Sequence, residues 1–240
     1  MTTTTFLKSP FLRTNSTTSS ALRGLGLGLG CAIVVCLAVA LSPFAASDRP
    51  ALALLAVTLS FPLGVLASRR PKDLKDASSI GMTAAVSALA LASTLTIAEP
   101  ALWLRTASWC LAAGLLGASV ASTVGGAGIL ATCGWLALNG LPFFYDRMPV
   151  LRETAEVWAL QGCPWLGFSG DAFGGDPLRR PVLYLGQWTK LSSANSFSVL
   201  RASTLWLAAV PAFASLLVAS LAGRAREQAE DSPELERSGA

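Results

Sequence analysis

Histidine is absent from all 240 residues. That single absence removes the usual base of a serine-hydrolase triad, imidazole-ligated zinc, the axial histidines of haem and chlorophyll, and histidine proton relays. Charge is scarce too. Only 13% of residues are Asp, Glu, Lys or Arg, against about a quarter in soluble domains. With 52% hydrophobic residues and a mean hydropathy of +0.55, the composition is that of an integral membrane protein. The five cysteines form no Cys-x-x-Cys pair. Cys31, Cys36, Cys110 and Cys133 fall in apolar runs and only Cys163 in a polar stretch, so they read as small packing residues. No Gly-x-x-x-x-Gly-Lys-Ser/Thr loop exists, which excludes nucleotide hydrolysis by that route. The net charge of +4 is small and clusters beside apolar runs, where it sets orientation and does not form a nucleic-acid surface. No cofactor or metal site is expected, and the chain does not read as an enzyme.

What is present is organised around Thr106 to Tyr145, forty residues without a charge. A helix rises about 1.5 Å per residue and the hydrocarbon core is about 30 Å thick, so forty residues cross it twice. Three glycines in Val124-Gly125-Gly126-Ala127-Gly128 supply the fold point. The expected hairpin is Thr106 to Thr123 and Gly128 to Tyr145, leaving the membrane through Pro142-Phe143-Phe144-Tyr145, an aromatic belt.

The rest of the chain arranges itself about this hairpin. Residues 1–23 form a Ser/Thr-rich leader with Lys8, Arg13, Arg23 and no acid; it reads as a signal peptide, an organelle transit peptide or a retained cytoplasmic leader. Residues 24–145 hold five spans. In the first, Gly24 to Ser47, the pairs Gly24/Gly28 and Gly26/Gly30 both have the small-residue spacing of closely packed helices. The second, Ala51 to Ser68, carries Pro62 as an expected kink. Arg69, Arg70, Lys72 and Lys75 then mark a cytoplasmic loop. A third span, Ala77 to Ala98, is followed by an external loop from Glu99 to Arg105 and by the hairpin. Residues 146–201 form an external segment in which Cys163 to Gly175, broken by Pro164 and four glycines, is expected to be re-entrant or interfacial. Residues 202–223 are the sixth span and 224–240 a charged, disordered cytoplasmic tail. The fold class is an all-α polytopic bundle of about six transmembrane helices.

Few residues offer chemistry. Asn139 reads as a packing hydrogen bonder or a pathway residue. Gly167-Phe168-Ser169-Gly170-Asp171 does not meet the nucleophile-elbow pattern; a Ser169 and Lys190 dyad, or a cation held by Asp171 and Asp176, are the weaker alternatives to a plain turn. The spans hold no ionisable group at mid-depth, which lowers the standing of an ion-driven carrier. Six spans, cytoplasmic ends, a basic loop between the second and third spans and a re-entrant-like segment between the fifth and sixth resemble the export-type permease of ATP-binding-cassette transporters. That resemblance implies a non-catalytic membrane subunit of a transport or export complex, with a separate ATPase meeting Arg69, Arg70, Lys72 and Lys75. It also implies that the region from Gly162 to Trp188 gates the external side. Trp158, Trp165 and Trp188, amphipathic rings suited to the headgroup level, are assigned on their own chemistry to an external gate or docking surface. A structural or assembly subunit is the alternative and a membrane-embedded enzyme the second alternative. The expected partners are the lipid bilayer and a homodimer or larger complex. The expected location is a bacterial inner membrane, or an organelle membrane after transit-peptide removal.

Overall fold

The structure is a computed structural model, and it describes residues 16–41, 49–68, 71, 74–96, 98–123, 127–144, 162–173 and 201–237. Among these residues the chain is all-α, with no strand. Its helices are α1 (Ser16–Leu41), α2 (Arg49–Ala67), α3 (Leu74–Thr96), α4 (Pro100–Thr123), α5 (Ala127–Phe144), α6 (Pro164–Phe173) and α7 (Ala202–Arg237). α1, α2, α3, α4 and α7 are long and apolar enough to cross a membrane, and α5 is apolar over a shorter stretch, Ala127–Gly140. The chain is a polytopic membrane bundle.

Local chemistry explains where the helices start. Proline lacks an N–H and suits the first turn, where that donor would be unused; Pro50, Pro100 and Pro164 stand there. The Glu99 carbonyl accepts the Trp103 N–H at 2.8 Å, which makes Glu99 the cap of α4. Arg201 caps α7: its carbonyl accepts from Leu205 at 3.1 Å and its own N–H donates to Thr204 Oγ1 at 3.3 Å.

Three expected boundaries move. α1 starts at Ser16, inside the leader, because hydroxyl residues there pack on another helix. α4 starts at Pro100, so Trp103 and Arg105 are helical and the expected Glu99 to Arg105 loop shrinks to the residues before Pro100. α7 continues to Arg237 where a disordered tail was expected. A helix already formed adds residues without a nucleation cost, and Arg224 to Glu230 is rich in good helix formers. The glycine fold point at 124–126 lies outside the described residues.

Contacts fix the directions. Ser20 meets Ser79, Thr83 Oγ1 reaches the Ser20 carbonyl at 3.3 Å, and a Cβ on Gly24 or Gly28 would run into the carbonyls of Thr83 or Ser87. α1 and α3 therefore run parallel. α2 packs along α4 in the same sense, with the Ser60 carbonyl facing Gly114 and, one turn on, Gly64 facing the backbone of Ala118. α3 opposes α4, since Trp103 Nε1 donates to Ser93 Oγ at 3.0 Å. α7 starts beside Ser108, to which Trp206 Nε1 donates at 3.0 Å, and lays Phe213 over Gly81. The start of α1 and the end of α7 thus lie at the same end of the bundle as Lys75.

Between helices in lipid there is little hydrophobic gain, and close packing and interhelical hydrogen bonds hold the bundle. The tightest crossing is Gly64 of α2 on α4, where an added Cβ would run into the Gly114 carbonyl; Gly114 in turn faces α3, with Ala88 3.3 Å from where its own Cβ would stand. Of the two glycine pairs in α1, Gly24 and Gly28 pack, whereas Gly26 and Gly30 have nothing within 4 Å. Pro62 sits inside α2 and cannot donate to the carbonyl of residue 58, four residues back. Trp135 of α5 supplies the missing donor, its Nε1 reaching the Thr58 carbonyl at 2.9 Å while its ring stacks on Phe61 at 4.8 Å. Ile33 and Val34 of α1, Ile129 and Leu130 of α5, and Leu207 and Val218 of α7 are each more than half exposed, and these faces meet lipid.

Candidate functional site

Among the described residues the shortest helix is α6, with ten residues, and it lies inside the bundle against α2, α4, α5 and α7. Ten residues containing Gly167 and Gly170 do not hold a helix unaided, so its neighbours do. Cys163 is its cap, with its carbonyl accepting the Gly167 N–H at 3.0 Å. From Cys163 to Ser169 every residue is buried. Phe168 is fully buried and edge-on to both Trp109, at 5.9 Å, and Phe173, at 5.8 Å.

The C-terminal end of α6 is clasped by α4. Arg105 Nη1 donates to the carbonyls of Asp171 at 2.8 Å and Ala172 at 3.0 Å, placing a cation where the last helical carbonyls need partners. One turn along α4, Trp109 Nε1 donates to Asp171 Oδ2 at 2.9 Å. At the other end Cys163 Sγ faces the Asn139 carbonyl of α5 at 3.9 Å. Asn139 is one turn past Trp135, which touches Thr58 midway along α2. α6 therefore occupies the half of the bundle in which α4 begins. Cys163 is buried, and a cysteine buried in apolar surroundings is an inert packing residue.

Most hydroxyls in the bundle bond to a carbonyl of their own helix, as Thr58, Ser60, Thr96, Thr106 and Ser220 do at 2.7 to 2.9 Å. These hydroxyls are satisfied within their own helices. Ser122 Oγ and Ser169 Oγ are exceptions, buried without a hydrogen-bond partner, as is the side-chain oxygen of Asn139, a state that costs about 1–3 kcal/mol per group. Asn139 uses its Nδ2 on the Trp135 carbonyl at 2.8 Å, which satisfies half of its amide. Among the described residues no group of three or more Cys, Asp or Glu side chains converges to hold a metal.

Of the residues singled out in the sequence, Trp165 is a buried anchor of α6 and Lys75 stands exposed in the first turn of α3. Arg69, Arg70, Lys72, Trp158, Trp188, Asp176 and Lys190 lie outside the described residues. The clasp of Arg105 and Trp109 was missed. Its signal was the one base in an otherwise charge-free α4, with an indole four residues on and so on the same helix face.

The fold and this part-depth helix define a class: an all-α integral membrane protein with a short helix lodged among its spans. The chain matches no protein-family model, and no curated protein or solved structure matches it.

Proposed function

We propose that the chain is a non-catalytic membrane subunit of a transport or export complex in a bacterial inner membrane, with α6 as part of its external gate. The observation that carries this reading is the lodging of α6: a ten-residue helix buried in one half of a bundle of much longer helices. Short or broken elements at membrane depth are tolerated where they pack in protein or line a pathway, and they recur at the substrate sites of transporters. The exposed Lys75 stands at the opposite end, where a separate ATPase would meet the basic loop of residues 69–75.

A structural or assembly subunit is the second reading, and it draws on the hydroxyls spent within their own helices and on the open apolar faces of α1, α5 and α7. Purification of the tagged chain from its native membrane in mild detergent separates the two. An ATPase recovered in stoichiometric amount, with ATP turnover that falls several-fold in a Trp165→Ala variant that still assembles, supports the transport reading. Recovery within a complex that contains no ATPase overturns it.

A further inference from the structure

α6 is held by α4 at its C-terminal end. Its C-terminal end carries three strong hydrogen bonds from Arg105 and Trp109, and both Arg105 and Asp171 are exposed. The deep end has the long contact of Cys163 Sγ to the Asn139 carbonyl, beyond the range of a firm bond. Between them Ser169 is 2% exposed with an unpartnered hydroxyl, and the side-chain oxygen of Asn139 is unpartnered as well. Seating α6 in this position keeps both atoms from water, which would satisfy them once the helix lifted. The sequence sets Gly162 before α6, a residue able to absorb the backbone change of a hinge.

We infer that α6 is a two-position plug, seated by the clasp of Arg105 and Trp109 on Asp171 and biased toward lifting by the unpartnered Ser169 hydroxyl. The inference rests on the reading of α6 as a gate and names what controls it. Two opposite effects follow. Removing the clasp favours the lifted position, and removing the hydroxyl favours the seated one.

Cys163 reports on both, because it is 1% exposed when α6 is seated. In the full chain with its other four cysteines replaced, the rate of reaction of Cys163 with a membrane-impermeant maleimide is measured in sealed vesicles at fixed pH. Arg105→Gln combined with Trp109→Phe, which keeps a ring against Phe168, is expected to raise the rate by about tenfold or more, as loss of charge-assisted bonds implies. Ser169→Ala is expected to lower it several-fold below the parent. A parallel chain keeping only Cys110, fully buried beside Ser60, tells lifting from unfolding and is expected to stay unreactive. An unchanged rate in the clasp variant, an unchanged or faster rate in Ser169→Ala, or reactive Cys110 in the clasp variant would each overturn the plug. The labelling needs no substrate or ATPase, so its failure is distinct from failure of the transport reading.

Discussion

Gly24 and Gly26 stand two residues apart in one helix and meet different surroundings. Gly24 and Gly28 lie against α3 carbonyls, and Gly26 and Gly30 have open space. Overpacking a tight contact costs about 1–3 kcal/mol, whereas alanine at an open helical glycine gains up to about 1 kcal/mol from propensity. Gly28→Ala should therefore lower the midpoint of thermal unfolding in detergent, and Gly26→Ala should leave it unchanged or raise it. Equal effects would mean that α1 does not meet α3 through this face. The sequence made the small-residue spacing legible but offered two registers. What separates them is the continuation of each row: Ser20, Gly24, Gly28 and Ala32 stay small, while Leu22, Gly26, Gly30 and Val34 end in large apolar side chains suited to lipid. Reading two residues beyond each glycine pair would have been too short by half; the whole row was needed.

At the scale of the element, Pro62 and Trp135 explain one another. The proline was legible in the sequence as a kink, but nothing local could say which residue would satisfy the carbonyl it frees, because the donor lies on a helix 77 positions away along the chain. Helix ends were misread for a related reason: hydropathy marks where lipid begins, and a helix stops where its caps lie, so α1 and α4 both start ahead of their apolar runs. The pairing of Pro62 with Trp135 makes a sharp test. Trp135→Phe keeps the stack on Phe61 and removes the donor, leaving the Thr58 carbonyl unsatisfied at a cost of about 1–3 kcal/mol. Adding Pro62→Ala restores an N–H at residue 62 and should recover much of that loss, a positive coupling in a double-mutant cycle. If the two losses simply add, Trp135 holds α5 by ring packing alone. The same logic applies to α6, whose shortness was readable from Pro164 and its glycines, while the clasp that holds it joins residues 66 positions apart.

At the scale of the whole molecule, the sequence foresaw the all-α bundle but not who packs on whom. Consecutive spans must run antiparallel across a bilayer, and that much follows from connectivity. The broad contacts α1 makes with α3 and α2 with α4 are parallel pairings of alternate helices, set by where small residues line up, which one-dimensional hydropathy does not encode. These directions yield a test independent of function. Lys75 is exposed at the start of α3 and Arg201 at the start of α7, and α3 with its 23 residues is about 35 Å long. The contacts of Trp206 with Ser108 and of Trp103 with Ser93 place Arg201 at the far end of α3 from Lys75. Single cysteines introduced as Lys75→Cys and Arg201→Cys in a cysteine-free chain should therefore react with an impermeant maleimide from opposite sides of sealed vesicles. The excess of basic residues in the leader and in the loop of residues 69–75 predicts a cytoplasmic Lys75 side, so in right-side-out vesicles only the cysteine at 201 should label before the membrane is opened. Labelling of both from one side would mean that α5 does not return through the bundle, and the six-pass topology would fall with it.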